Sequence, residues 1–230
     1  MIIMKKIYFT LIALLASMNM LAQGWPANYS GVMLQGFSWD SYDYSQWTVL
    51  EKQADDMKGF IDLVWLPQSG KCIETTQVMG YKPYYYFNQN SSFGTEAELK
   101  SLIAKFKANG IGAIADVVVN HRNTDGWYTF PAETYKGVTY QMQSTDICKN
   151  DDGGSTATQA KKDGVSLSNN YDEGTDFGGC RDIDHKSENV QKIIKAYLKF
   201  LKEDIGYTGF RYDMVKGFSG THVADYNDAT

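Results

Sequence analysis

Two hydrophobic rhythms alternate along the chain. Val32-Met33-Leu34-Gln35-Gly36-Phe37 is an apolar run of strand length, and Ile61-Asp62-Leu63-Val64-Trp65-Leu66 is a second, stopped by Pro67. Between them Trp47, Leu50, Ala54 and Met57 recur at helical spacing, with Gly59 as the stop. Thr95 and Glu98 form a capping box ahead of Leu99, Leu102, Ile103 and Phe106, which share one helical face, and Asn109-Gly110 closes that helix. Ile111 to Val119 is almost continuously apolar, as a strand buried on both faces requires. Ser187 caps a helix with Val190, Ile193, Ile194, Tyr197, Leu198 and Leu201 along one stripe; Gly206 stops it, and Gly209-Phe210-Arg211-Tyr212-Asp213 is the fourth strand.

This order predicts an α/β fold, a parallel sheet with helices outside it. One segment breaks the rhythm. From residue 122 to 185 the chain is polar, rich in Gly, Asp, Asn, Thr and Tyr, and has no clear period. Connections in such folds usually run ~2–6 residues, so this stretch is either an inserted subdomain or disordered. Asp172, Asp176, Asp182 and Asp184 favour an insert held by a cation. The expected division is a leader over 1–22, three strand–helix units over 23–121, the insert over 122–185, and the next helix, strand and start of a further unit over 186–230. Without leader and insert about 140 residues remain, against the ~250 of a complete eight-stranded barrel. Four units fit and eight do not.

The leader has its own pattern. Lys5 and Lys6 precede the apolar run Ile7 to Leu15, and small and polar residues lead to Ala22-Gln23, as in a cleavable secretory signal. The apolar run is shorter than the ~20 residues of a membrane span. An exported protein, periplasmic or extracellular and without a membrane anchor, is the expectation. Export permits disulfides. There are 3 Cys, and Cys148 and Cys180 bracket a Gly/Asp/Ser-rich stretch that a bridge between them could close. No Cys/His spacing suggests zinc.

With 22 basic against 27 acidic residues and a net charge of -5, the chain lacks the basic surplus that a nucleic-acid partner needs. Arg122, Arg181 and Arg211 are the only arginines. Aromatic residues make up 14% of the chain, a composition that suits sugar faces as well as cores.

The chemistry sits where strands end. Arg211 and Asp213 are two apart and share one face of the fourth strand, where a guanidinium favours the ionised carboxylate. Asp116, Val118 and Asn120 share a face of the third strand, with His121 at its rim. Taken alone, each of these could be a structural ion pair or a loop hydrogen bond.

Together they form a pattern. Asp116-Val117-Val118-Val119-Asn120-His121 and Gly209-Phe210-Arg211-Tyr212-Asp213-Met214-Val215-Lys216-Gly217 resemble two signature blocks of the α-amylase family of retaining glycoside hydrolases, with Asp182-Ile183-Asp184-His185 between them in family order. Gln35-Gly36-Phe37-Ser38-Trp39, Val64-Trp65-Leu66-Pro67 and Gly80-Tyr81-Lys82-Pro83 also resemble family elements. Gly217 after Lys216 is closer to the plant-type enzymes.

The resemblance implies a (β/α)8 TIM barrel, here its first four units, with an irregular subdomain inserted after the third strand. It implies Asp213 as nucleophile, Arg211 holding it charged, and Asp116 bracing Arg211. His121 and Lys216 would bind sugar, and Tyr81 would stack on it. It further implies calcium, held by Asn120, Asp172 and Asp182 with the carbonyls of Thr175 and Gly217. A second ion would lie near Asp176, sharing Asp182 and using carbonyls around Phe177 and Cys180. The partners would be α-glucans (starch, glycogen, maltooligosaccharides), and the full-length protein a monomer. A retaining enzyme needs a second carboxylate as acid, which the family places on a Glu after the fifth strand. Beyond Asp213 the sequence has Asp225 and Asp228 but no Glu. The expectation is therefore the N-terminal part of a secreted α-amylase that cleaves internal α-1,4 bonds, inactive by itself. The alternative is a non-catalytic sugar-binding or structural member of the same fold.

Overall fold

The computed structural model describes residues 28–230. The proposed leader lies outside the described residues. The strands are β1 (Met33–Gln35), β2 (Leu63–Leu66), β3 (Gly112–Val117), β4 (His121–Arg122), β5 (Glu133–Tyr135), β6 (Val138–Tyr140), β7 (Arg181–Asp182) and β8 (Gly209–Tyr212). The α-helices are α1 (Trp47–Met57), α2 (Glu96–Ala108), α3 (Ser155–Asp163), α4 (Glu188–Phe200) and α5 (Gly220–Asp228). Strands β1, β2, β3 and β8 form one parallel sheet in that order, with Asp116 in register with Arg211. This is the sheet of a partial (β/α)8 barrel.

The helices form where the side chains demand it. Thr95 accepts from the Glu98 backbone N–H, and the Glu98 carboxylate accepts from Thr95 N at 2.7 Å, so both halves of the capping box are present. Helix α2 then buries Leu99, Leu102, Ile103 and Phe106. Ser187 caps α4, whose Val190, Ile193, Ile194, Tyr197 and Leu198 enter the same core. A π-helical turn, Leu201–Ile205, follows α4 and ends at Gly206, where φ is 105° and a side chain would be strained. Among the described residues no helix is long and apolar enough to cross a membrane.

The segment 122–185 is ordered by polar contacts. Antiparallel pairing of β4 with β7 brings its two ends together, and β5–β6 is a hairpin. Asp146 accepts from Ser187 Oγ at 2.6 Å and Asn189 Nδ2 at 2.7 Å, tying the segment to the start of α4. A buried ion pair ties it to the loop after β2. Arg122 meets Glu133 at 2.7 Å, Glu133 accepts from Tyr86 N and Phe87 N, and Arg122 also donates to Tyr84 O. Removing one member of such a pair strands the other charge in the core, at a cost of about 3 kcal/mol or more. Arg122→Met should therefore lower urea-unfolding stability by about that much. Lys136→Ala, which breaks an exposed pair with Glu203, should cost less than about 1 kcal/mol. Equal effects would contradict this account of the insert.

Cys72, Cys148 and Cys180 are buried free thiols, so no bond joins Cys148 to Cys180.

Candidate functional site

The sheet's C-terminal edge gathers the polar residues that the strands aim there. Asp213 N donates to Val117 O at 2.9 Å, extending the β3–β8 pairing by one residue beyond β8. Arg211 lies at the centre. Its Nη1 donates to Asp116 Oδ1 at 2.9 Å and to Asp213 Oδ1 at 2.6 Å, and its guanidinium lies over the Trp65 ring. One cation thus holds two carboxylates, one inside the sheet and one at its rim.

Asp116 has no free oxygen. Oδ1 takes Arg211, and Oδ2 accepts from Tyr81 Oη at 3.1 Å and Trp65 Nε1 at 3.2 Å. Burial pushes the Asp116 carboxyl up to about 6, against the pull of Arg211, which favours the anion. Asp213 is more open than Asp116, with 19% of its side chain exposed against 0%. The two acids therefore differ in access. Asp116 is closed in by its partners, and Asp213 is open to solvent.

Tyr81 presents a ring stacked on exposed Trp39. Burial, then the nearby Asp116 charge, raise its phenol well above the usual range and keep it protonated. His121 is fully buried. Its Nε2 lies 2.8 Å from Tyr81 O, which can only accept, so that nitrogen carries the proton. The His121 ring stacks on Phe177 of the insert at 3.8 Å, and burial lowers its pKa, which favours neutral imidazole. Lys216 is exposed on the turn after β8, and its carbonyl accepts from Thr175 N at 3.0 Å.

The oxygen-rich residues meet where the insert touches this turn. Asn120 Nδ2 donates to Asp182 Oδ1 at 3.0 Å. A Cβ on Gly217 would fall 1.9 Å from Asn120 Oδ1, so only glycine lets the turn approach that amide oxygen. Asp172 Oδ2 is buried without a hydrogen-bond partner. Asp151, Asp176 and Asp182 offer carboxylate oxygens within 4.8 Å of one another. Burial, and then the Asp176 carboxyl, push Asp182 up to about 8. A hard dication fits this donor set: all oxygen, several carboxylates, and a buried oxygen with no proton donor. Phe177 N donates to Asp182 Oδ2, while Phe177 O already accepts from Gly179 N, and Cys180 closes the same turn.

Sequence reasoning missed Asp151. It is buried, accepts from Asp182 N through Oδ1 at 2.7 Å, and pairs with Arg181 through Oδ2 at 2.6 Å. No spacing marks it, because its partners lie about thirty residues away. The two glutamates of the insert are engaged elsewhere. Glu133 pairs with Arg122, and Glu173 meets Lys186 at 3.6 Å and His222 at 2.9 Å.

Residues 61–229 match the model of the α-amylase catalytic domain. The chain is 32% identical over 207 residues to chloroplastic α-amylase 3 of Arabidopsis thaliana, covering 86% of this chain and 21% of that protein. It is 29% identical to probable α-amylase 2 of the same plant, covering 85% of this chain and 44% of the relative. Among solved structures it resembles an α-amylase of Malbranchea cinnamomea, with a TM-score of 0.59, 19% identity, and coverage of 86% of this chain and 43% of that one. It also resembles α-amylase I of Eisenia fetida, at TM-score 0.60 and 18% identity, covering 86% of this chain and 40% of that one. The chain thus spans less than half the length of these relatives, and it belongs to the α-amylase catalytic-domain family of glycoside hydrolases.

Proposed function

We propose that these residues form the nucleophile side of an active site that hydrolyses internal α-1,4 bonds of starch, glycogen and maltooligosaccharides with retention. The observation that carries this reading is the single guanidinium of Arg211 bonded to both Asp116 and Asp213 at the open end of a parallel sheet. Asp213 attacks the anomeric carbon and forms a covalent glycosyl-enzyme, which water then hydrolyses. Arg211 orients the attacking carboxylate, and Asp116 fixes Arg211. Tyr81 supplies a stacking face that His121 steadies through the Tyr81 carbonyl, with the imidazole shared with sugar when the glucan is bound. Lys216 contacts the sugar on the leaving-group side.

Calcium, when bound, would neutralise the carboxylates that face one another between sheet and insert. Asn120, Asp172 and Asp182, with the carbonyls of Thr175 and Gly217, would hold one ion. Asp176, Asp182 and Asp151, with carbonyls around Phe177 and Cys180, would hold a second. Residues 1–22 act as an export signal in this reading, so secreted protein begins near Gln23; mass spectra of secreted material beginning at Met1 would refute that.

Departure of the leaving oxygen needs a carboxylic acid ~5–5.5 Å from the nucleophile. Asp116 has both oxygens engaged, Glu133 is buried against Arg122, and Glu173 faces His222, so none of these three is free to serve as that acid. In this reading residues 23–230 by themselves release no reducing sugar from starch above an Asp213→Asn control. Calcium-dependent release well above that control would overturn the reading.

A further inference from the structure

We propose that the loops after β1 and β2 form an outer groove for the non-reducing arm of a neutral α-glucan, which gives the site a preference for long chains; this rests on the active-site reading above and adds the path the chain takes. Loops that follow the strands gather at the C-terminal end of a barrel sheet, where the helices they feed begin. Two cavities meet there. The inner one, of about 400 Å3, is lined by Trp39, Tyr42, Gln77, Met79 and Tyr81, so it opens beside the ring that stacks on the reacting sugar in that reading. The outer one, of about 520 Å3, is lined by Tyr42 and Gln77 again, with Gln46, Thr48, Thr75 and Thr76. Because Tyr42 and Gln77 line both, the two cavities make one path leading outward from Tyr81. Each volume lies within the ~300–1,000 Å3 usual for small-molecule sites.

The lining suits a neutral polyol. Among the described residues, the side chains of Gln46, Thr48, Thr75, Thr76 and Gln77 have no hydrogen-bond partner within the protein. Each can both donate and accept, as a sugar hydroxyl does. Asp43 and Glu98 against the single cation Lys71 disfavour an anionic ligand, and Lys71 lies over the Tyr85 ring. Trp39 supplies an apolar face. It is 70% exposed and lies within 4° of parallel to Tyr81, with ring centroids 6.1 Å apart. Gln77, at the junction, is held at φ 58°, a costly backbone conformation for a residue with a side chain. Sheet order supplies the direction. The β1 and β2 loops lie on one side of β3, and β8, with Lys216 on the turn after it, lies on the other. A glucan whose leaving-group side meets Lys216 therefore sends its non-reducing arm across Tyr81 toward Trp39 and Tyr42.

The test titrates the full chain with maltotriose and with maltohexaose, followed by tryptophan emission. Two net hydrogen bonds made only by the longer sugar should tighten its binding about tenfold or more. In Tyr42→Ala that ratio should fall below about twofold, with maltotriose affinity unchanged. Gln77→Gly removes a side chain where glycine relieves the backbone, so it should cut the ratio by about threefold without lowering the melting point. Tyr81→Ala should weaken both sugars alike. Equal affinity for the two sugars in the unaltered chain, or a ratio that survives both Tyr42→Ala and Gln77→Gly, would overturn the groove and leave the active-site reading standing. A length preference lost in Tyr42→Ala, with Tyr81→Ala without effect, would keep the groove and take Tyr81 out of the reacting site. Binding of neither sugar would overturn both.

Discussion

Asp213→Asn should abolish turnover in a complete barrel that joins this chain to the C-terminal half of a plant relative, while leaving glucan binding nearly intact. An amide is nearly the same size as a carboxylate and can still accept from Arg211 Nη1, which lies 2.6 Å from Asp213 Oδ1. It cannot form the covalent intermediate. The loss in kcat should be on the order of 10^4-fold or more, or about 5.5 kcal/mol of transition-state stabilisation. KM for maltooligosaccharides should move by less than about threefold, since stacking on Tyr81 and the other polar contacts survive. Wild-type turnover would show that another group attacks. A KM rise without loss of kcat would assign Asp213 to binding alone.

Calcium should account for the second large effect. Buried Asp182 faces Asp176, Asp172 and Asp151, and no Lys or Arg other than Arg181 bonds to this group of carboxylates among the described residues. An ion that binds only the folded state adds about 4 kcal/mol when its free concentration is 1,000 times its Kd. For a chain of this size that corresponds to about 10 °C in Tm. Excess chelator should therefore lower the melting point by about that amount, and restored calcium should recover it. In Asp182→Asn the two curves should coincide. Coinciding curves in the unaltered protein would remove calcium from the account.

Much of this arrangement was legible in the sequence because it rests on local rules. The Ile111–Val119 run becomes β3, and the Thr95–Glu98 box and Ser187 cap the helices they precede. Register did the same for the site. A spacing of two put Arg211 and Asp213 on one face, and the β3–β8 pairing set Asp116 beside Arg211. The first strand is shorter than its apolar run: pairing stops after Gly36 N meets Trp65 O, where Phe37 turns its ring edge-on to Trp65.

The insert was not legible because its order is polar and long-range. Asp146 reaches Ser187 and Asn189, Arg122 reaches Glu133 and Tyr84, and Asp151 reaches Arg181 and Asp182. No periodicity encodes such contacts. Helix α5 was hidden for another reason. After Asp213 the residues are too polar for a strand, and only Ser219, which accepts from Thr221 N, marks the start of a helix that buries His222 and Tyr226.

The most direct test of the central claim is to trap the covalent intermediate. An active barrel carrying these residues would be incubated with a fluorinated α-glucosyl fluoride, which forms the glycosyl-enzyme faster than water clears it, and then digested with pepsin. The account predicts one sugar on the peptide that spans Gly209 to Gly217, bonded to Asp213, and no adduct in Asp213→Asn. A sugar on any other carboxylate, Asp116 included, would contradict it.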